Sequence, residues 1–320
     1  MKLYETSISD EDIKTISEVL ESGDLGFGAN VQIFEQKFKS FSNKMHNIAT
    51  NSASASAFMI FSFLREKYGV CDVYTTSLGF TSPAWAVKHF GHNLHFVDVQ
   101  DDLQFSSAHY KQIRKSNKNK IVVMPVLYGG VSNIKNFDLV GDEIVVVDSA
   151  HCVTPIIKSD FIFFSFHPYK PICTSDGGMI STDDLAAAEY FKLYRNFGRK
   201  NIGASYGIST DGFKFYMNNL NATIGLTQIK RYEENLLTRK KNYVKLKERF
   251  CLLEHDEKSS YYFATTLTDK AEEIIFKTSL TRNYPMLHKM NYYKTSYKLE
   301  NLESLHSKIL NLPLTGDFIE

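Results

Sequence analysis

The stretch EIVVVDS (143–149) is apolar through its centre, and a carboxylate, Asp148, follows the apolar run. Two earlier stretches, NLHFVDV (93–99) and KIVVMPVL (120–127), share this nearly continuous apolar character. Central strands of a parallel sheet are covered on both faces, so their sequences do not alternate between apolar and polar residues. The three stretches therefore predict the centre of such a sheet.

Four further stretches complete the predicted sheet: NIAT (47–50), VYTTS (73–77), DFIFFSF (160–166) and GMIST (178–182). Helical patterns lie between several of the strands, at 54–68, 81–90 and 107–116. Strands that alternate with helices favour a doubly wound, mainly parallel sheet. We predict an α/β fold with seven strands.

The second half of the chain has a different character. Residues 218–250 read as one helix that is long enough to bridge two domains. The last part is polar and mixed, with expected strands at YYFATTL (261–267) and EIIFKTSL (273–280) and a short helix near 300–309. We predict a large domain at 1–232, which includes an N-terminal helical segment, and a small, shortened α+β domain at 233–320.

Composition excludes several classes of protein. Of 320 residues, 43% are hydrophobic and 23% are charged, and 37 Lys and Arg balance 36 Asp and Glu to give a formal charge of +1. This balance gives no support to a nucleic-acid or membrane role. The charged start of the chain is unlike a signal peptide. The four cysteines form no CxxC pair, so we expect no metal site and a cytoplasmic location.

The stretch FFSFHPYKPICTSDGG (163–178) surrounds one lysine, Lys170, with aromatic and hydroxyl residues. Ser165 ends a predicted strand, where its hydroxyl would face a ligand, and Gly177 and Gly178 allow close backbone approach. A lysine that forms a Schiff base with a cofactor needs such surroundings, because it must be desolvated, oriented and backed by a phosphate site. The alternative is a structural lysine in a loop.

Asp148 is the second candidate residue. One interpretation is a helix N-cap after the strand. The other is a carboxylate that pairs with a protonated pyridine nitrogen, which lets the ring of pyridoxal phosphate (PLP) act as an electron sink. His151 is placed to reach the phenolic oxygen of the same ring, or is a loop histidine.

Two further features suit the same cofactor. In TNSASASAFMIFSFL (50–64), small residues lie where a strand turns into a helix near Ser54, and such a turn suits a phosphate. Phe80 follows a strand and is placed to lie flat on a ring, although an aromatic residue in this position is more often part of the core.

Several segments together resemble the DegT/StrS family of PLP-dependent nucleotide-sugar aminotransferases, which have the fold-type I (aspartate aminotransferase-like) architecture. The segments are NSASASA (51–57), GFTSPA (79–84), PVLYGG (125–130), VDSAH (147–151), FSFHPYKPICTSDGG (164–178), GFKFYMNNLNATIG (212–225), YPMLHK (284–289) and LNLPL (310–314). The resemblance covers nearly the whole chain.

The resemblance implies roles for individual residues. Lys170 would be the Schiff-base lysine and the proton-transferring base, and Asp148 the partner of the pyridine nitrogen. The remaining cofactor-binding positions implied by the family are Ala53 and Ser54 with Ser165 for the phosphate, Phe80 stacked on the ring, and His151 beside the ring oxygen. The implied reaction moves an amino group from glutamate to a nucleotide-linked keto sugar, a 4-keto-6-deoxyhexose, for a surface polysaccharide such as O-antigen or capsule.

Lys214 departs from the family pattern, which has an asparagine there. In the family this residue comes from the neighbouring subunit of a homodimer and contacts the cofactor phosphate. The resemblance therefore implies that Lys214 crosses the interface and adds positive charge to the phosphate site. The alternative is an exposed loop lysine.

Two other functions stay open at this point. A PLP-dependent nucleotide-sugar dehydratase is disfavoured because such enzymes with this resemblance carry histidine in place of the lysine. A non-catalytic nucleotide-sugar-binding protein would lack the cofactor and its colour. An NAD dehydrogenase is disfavoured because no GxGxxG follows the first strand.

Overall fold

The computed structural model describes residues 3, 7–115, 118–202, 205–278, 280, 284–293, 295 and 297–315. Its main sheet has seven strands: β1 (His46–Thr50), β2 (Cys71–Thr76), β3 (Asn93–Val97), β4 (Lys120–Met124), β5 (Ile144–Asp148), β6 (Phe161–Ser165) and β7 (Gly178–Thr182). The strand order is β1-β7-β6-β5-β4-β2-β3, and every pair from β6 to β3 is parallel. Only β7, which lies antiparallel to β1 and β6, reverses direction within the sheet. The predicted seven-stranded α/β fold is confirmed.

Strand β5 shows why the central strands read as unbroken apolar runs. Val145 and Val147 belong to one buried cluster, whereas Ile144 and Val146 belong to another. Because successive side chains point to opposite faces of a strand, both faces of β5 are covered. Each face therefore requires apolar residues, and the alternation disappears.

Nine helices occur among the described residues: α1 (Asp10–Ser22), α2 (Ala29–Ser42), α3 (Ala53–Tyr68), α4 (Thr81–His89), α5 (Ser107–Ile113), α6 (Leu185–Tyr194), α7 (Asn219–Lys247), α8 (Ala271–Lys277) and α9 (Glu300–Leu305). The N-terminal segment is fixed through Asp12, which closes a capping box with Ser9. The buried carboxylate of Asp12 also accepts hydrogen bonds from Thr227 and Arg231 of α7. These contacts tie α1 to the long helix.

Two short strand pairs complete the structure. Strands β8 (Arg199–Ile202) and β9 (Ser205–Ile208) form an antiparallel hairpin, and β10 (Ala264–Leu267) pairs antiparallel with β11 (Ile309–Leu312). Strand β10 lies within the stretch predicted at 261–267. The predicted short helix is α9, followed by a 3-10 turn at His306–Lys308.

The strand predicted at 273–280 is wrong over its described part. Residues Ala271–Lys277 form helix α8, with Glu272 and Glu273 in the first turn and Lys277 in the last. Acidic residues at the start and a basic residue at the end suit the helix dipole, and Lys277 pairs with Glu273 at 2.6 Å. Ser279, within the predicted stretch, lies outside the described residues.

The C-terminal part packs against the carboxyl edge of the main sheet. The backbone N–H of Leu287 donates to the carbonyl of Ser77 at 3.1 Å, and the Ser77 hydroxyl lies 2.7 Å from Nδ1 of His288. The predicted boundary at residue 232 falls inside α7, and the division into two domains stays a prediction. Within the described ranges, no helix combines the length and apolarity needed to cross a membrane.

Candidate active site

A cavity of about 300 Å³ opens at the carboxyl edge of the parallel strands. Seven of the eight predicted site residues line it: Ala53, Ser54, Phe80, Asp148, His151, Ser165 and Lys170. Lys214 is the exception. Residues that are far apart in the sequence thus meet where ligands bind in open α/β sheets.

Sheet topology explains how Asp148 and Lys170 meet. Strands β5 and β6 are parallel neighbours, so Asp148 and Ser165 end at the same edge. The backbone of Asp148 is held on the β4 side by hydrogen bonds to Pro125 and from Leu127. Lys170 lies on the loop between β6 and β7, and a hydrogen bond of 2.9 Å from Phe166 N–H to the Gly177 carbonyl closes the base of this loop.

Gly178 brings the lysine loop close to the start of α3. A Cβ atom on Gly178 would lie 2.5 Å from the carbonyl carbon of Ser52 and 2.6 Å from the backbone nitrogen of Ala53. Both are backbone atoms, which cannot move aside as a flexible side chain can. Glycine is therefore required where β7 passes the turn between β1 and α3.

Lys170 is half-buried at the wall of the cavity. Burial lowers the pKa of Lys170 to about 7, and the negative charge of Asp148 opposes this shift. The Nζ atom lies 4.5 Å from the centroid of the Tyr262 ring, on whose face the ammonium form is stabilised. A large fraction of the amine is consequently neutral near neutral pH and can accept a proton.

Asp148 is 4% exposed, and burial raises the pKa of its carboxyl to about 6. The Ala150 N–H, which donates to Oδ1 at 3.0 Å, and the charge of Lys170 both oppose the shift. No helix forms in the fully described stretch between Asp148 and β6. Asp148 therefore does not cap a helix, and its buried carboxylate faces the cavity.

His151 is buried among aromatic rings. Its Nε2 lies 2.8 Å from the hydroxyl of Tyr284, and its ring centroid lies 4.4 Å from that of Tyr262. Burial, together with the charge of Lys170, holds the pKa of His151 well below its usual range, so the imidazole is neutral. Nδ1 is buried and has no hydrogen-bond partner among the described residues.

The start of α3 and Ser165 provide polar groups on another side of the cavity. Ser52 caps this 16-residue helix by accepting the Ala55 N–H, and the Ser54 hydroxyl donates to Ser82 at 2.8 Å. Backbone N–H groups and the helix dipole make this turn suitable for a phosphate.

Phe80 is 60% exposed at the cavity, so the alternative of a core aromatic is wrong.

Lys214 lies outside the cavity and is exposed. Its Nζ lies 5.7 Å from the ring centroid of Tyr216, and its backbone carbonyl accepts a hydrogen bond from the side chain of Asn51, close to the start of α3. The predicted role of Lys214 requires a second copy of the chain. It stays a prediction.

Tyr262 and Tyr284 are among the cavity residues to which the sequence assigned no role. Tyr262, from the segment before β10, contacts both Lys170 and His151, and Tyr284 contacts His151. Tyr284 begins YPMLHK (284–289), one of the segments that resemble the family, but the resemblance assigns no role to this tyrosine. Tyr262 belongs to no recognised motif, and only the fold brings it to the lysine.

These residues fit PLP. The cavity combines an amine with a pKa near 7, a buried carboxylate, a neutral histidine with an unpartnered Nδ1 and a helix N-terminus. These four groups match the aldehyde, the pyridine nitrogen, the ring oxygen and the phosphate of that cofactor. The residues of the cavity therefore offer a group for each of these parts of the cofactor.

A family comparison agrees with this fit. The model of the DegT/DnrJ/EryC1/StrS aminotransferase family matches residues 6–319, so the chain belongs to this family. The predicted family is confirmed, and the predicted enzyme class is confirmed with it.

Three individual proteins similar to this chain are 30%, 25% and 20% identical to it. The spore coat polysaccharide biosynthesis protein SpsC of Bacillus subtilis is 30% identical over 249 residues, which span 71% of this chain but only 63% of SpsC. The UDP-4-amino-4,6-dideoxy-N-acetyl-beta-L-altrosamine transaminase of Campylobacter jejuni is 25% identical over 93% of this chain and 79% of its own length. The Streptococcus pneumoniae protein Spr1654, in its PLP-form, has the same fold (TM-score 0.87, 20% identity, 100% of this chain and 95% of that chain).

Replacing Asp148 with asparagine should lower the pKa of Lys170 below about 7, because the negative charge that opposes desolvation is lost. The pH dependence of Lys170 acylation in cofactor-free protein, followed by peptide mass spectrometry, measures this pKa. Asp176→Asn is the matched control, since Asp176 also lines the cavity but is not among the causes of the shift. An unchanged or raised midpoint in Asp148→Asn would show that the two groups do not interact.

Proposed function

We propose that this protein is a PLP-dependent aminotransferase that moves the amino group of glutamate to a nucleotide-linked keto sugar, a 4-keto-6-deoxyhexose. The observation that carries the proposal is the amine of Lys170, which lies 4.5 Å from the ring centroid of Tyr262 and whose pKa is lowered to about 7 by burial and affected by the charge of Asp148. The names of the C. jejuni transaminase and of SpsC support a nucleotide sugar and a surface polysaccharide as its context. The PLP-form of the S. pneumoniae protein supports the cofactor.

The cavity residues would hold the cofactor at five points. Lys170 would bind it covalently, and Asp148 would pair with its pyridine nitrogen. The other contacts would be His151 Nδ1 to the ring oxygen, Phe80 to the ring face, and Ala53, Ser54 and Ser165 to the phosphate. When bound, PLP supplies an aldehyde that receives the amino group and a conjugated ring that stabilises negative charge at the reacting carbon.

Lys170 would act as the base of the reaction. A base works best when its pKa lies near the working pH, and burial sets the pKa of Lys170 at about 7. Once the donor amine has displaced Lys170 from the cofactor, the freed Nζ would take a proton from the carbon that carries the donor amine and return it to the cofactor carbon that has received the amino group. The Tyr262 ring, 4.5 Å away, would keep the amine oriented during both transfers. Asp148 would stay ionised once it pairs with a cationic nitrogen.

The dimer and the domains belong to the same proposal. A large domain at 1–232 would carry the cofactor, and a small domain at 233–320 would close over it. Two chains would share their active sites, with Lys214 of each reaching the phosphate of the other. The exposed position of Lys214, beside Asn51 at the turn into α3, is compatible with such an exchange.

Changing Lys170 to alanine should abolish sustained turnover with glutamate and a panel of nucleotide-linked keto sugars. Removal of a catalytic base costs about 100- to 10,000-fold, and the covalent link is lost as well. Amino-sugar formation measured by mass spectrometry gives the rates. Lys192→Ala, which removes an exposed lysine paired with Glu189, is the control and should retain full activity. Sustained turnover by Lys170→Ala would refute the assignment, and a wild-type enzyme inactive on every keto sugar would refute the substrate class.

Changing Lys214 to alanine should weaken PLP binding by about 10- to 150-fold, the range expected for a lost charge-assisted hydrogen bond. Cofactor retention after dilution and dialysis measures the effect, with Lys270→Ala as a control at an exposed position on the C-terminal part. Sedimentation should show a dimer for wild type. Equal retention in both variants, or full activity from a stable monomer, would contradict the exchange of Lys214 between subunits.

A further inference from the structure

The loop between β6 and β7 forms part of the rim of the active-site cavity. Three of its side chains, those of His167, Tyr169 and Asp176, line the cavity and are exposed. Tyr169 is 46% exposed, whereas Asp148 and His151, which line the same cavity, are each 4% exposed. Because the buried residues hold the cofactor in the proposed reaction, the exposed ones meet the part of a ligand that extends beyond it.

Backbone contacts fix the position of Asp176 on this rim. Its carbonyl accepts hydrogen bonds from the hydroxyl of Thr174 at 2.8 Å and from the side-chain amide of Asn221, near the start of α7, at 2.9 Å. The carbonyl of the next residue, Gly177, accepts the Phe166 N–H at 2.9 Å and closes the loop. The carboxylate of Asp176 therefore starts from a backbone that is held in place beside the cavity.

One oxygen of this carboxylate is available to a ligand. Oδ1 accepts the N–H of Gly177 at 3.0 Å. Oδ2 has no hydrogen-bond or ion-pair partner among the described residues, and the side chain is exposed at the cavity. Asp176 is not among the causes of the lowered pKa of Lys170 or of the raised pKa of Asp148. The chemistry proposed for those two residues thus leaves Asp176 without a role.

The ligands of the proposed reaction differ in what they offer to a carboxylate, which when ionised only accepts hydrogen bonds. The cofactor phosphate and the two carboxylates of glutamate are anions that Asp176 would repel, and the amino group of glutamate is engaged at the cofactor. The hydroxyl groups of a sugar ring are donors, and a hydroxyl that donates to a carboxylate forms a charge-assisted hydrogen bond. Of these ligands, the sugar is the best partner for Asp176.

We propose that Asp176 is a specificity-determining residue for the acceptor, and that its Oδ2 accepts a hydrogen bond from a hydroxyl group of the keto-sugar ring. This inference rests on the proposed aminotransferase function and extends it to the choice of sugar. A site that is built to bind a substrate hydroxyl discriminates against the analogue that lacks it. Sugars without that hydroxyl are therefore poor acceptors, whereas the donor is unaffected.

The two half-reactions, measured separately on the holoprotein, test this role. Loss of the visible absorbance of the cofactor follows the reaction with glutamate. Its return follows the reaction of the pyridoxamine phosphate form with dTDP- or UDP-linked 4-keto-6-deoxyglucose. Both are measured at pH 8, where His167 is neutral because burial and the charge of Lys170 lower its pKa.

Asp176→Asn should weaken the apparent affinity for the keto sugar by roughly tenfold, because a charge-assisted hydrogen bond is reduced to a neutral one. The reaction with glutamate should be unchanged or faster, since a repelling charge is lost. Asp176→Glu keeps the carboxylate and should lose less affinity for the sugar. Asp269→Asn, which removes an exposed partner of Lys308, is the control and should match wild type in both half-reactions.

The unaltered protein supplies a second measurement, which stands if Asp176→Asn does not fold. Among keto sugars that lack the 2- or the 3-hydroxyl, at least one should bind roughly tenfold more weakly than the parent sugar, and Asp176→Asn should reduce that difference. Calorimetry with a nucleotide-linked 6-deoxyglucose, which has no ketone, gives a readout without turnover. Asp176→Asn should weaken this binding but not the binding of the nucleoside diphosphate alone.

Equal affinity for the keto sugar in wild type and Asp176→Asn, or equal losses in both half-reactions, would overturn the role of Asp176. Failure of wild type to distinguish the deoxygenated sugars would overturn it as well. Failure of the proposed function has a different signature, because wild-type holoprotein would then react with neither glutamate nor any keto sugar. That result would remove the inference together with the function on which it rests.

Discussion

The burial of the Lys170 amine beside the Asp148 carboxylate is the constraint on which the active site depends. Moving an ammonium and a carboxylate out of water is costly, and each group responds by a pKa that moves towards neutrality, to about 7 for Lys170 and about 6 for Asp148. The same burial that costs stability prepares an amine that can bind an aldehyde and transfer protons. A mobile surface lysine would stay protonated and could do neither.

The sheet is what makes this burial possible. Strand β5 is packed on both faces and ends at Asp148, and its parallel neighbour β6 leads into the lysine loop. The loop then returns through β7, where Gly178 lets the backbone pass within contact distance of the turn into α3. Backbone pairing thus sets the positions of Asp148, of the base of the lysine loop and of the helix N-terminus, and the Tyr262 ring contacts the Lys170 amine.

Much of this arrangement could be predicted from the sequence, for identifiable reasons. Strands covered on both faces leave continuous apolar runs, so β4 and β5 were evident, and the residues around Lys170 form a distinctive motif. The strand prediction at 273–280 was wrong because a short apolar segment fits a strand or a helix equally well. The charges at the ends of α8 favour the helix. Tyr262 reaches Lys170 only through tertiary packing, which no local pattern reports. The role of Lys214 depends on a second chain, which one sequence cannot show.

The central claim is that Lys170 is the residue that binds the cofactor. Borohydride reduction of the holoprotein makes such a link permanent, and proteolysis with mass spectrometry then locates it. The account predicts a phosphopyridoxyl group on the peptide that contains Lys170 and on no other lysine. A modified peptide from elsewhere in the chain, or a cofactor that is released unmodified after reduction, would contradict it.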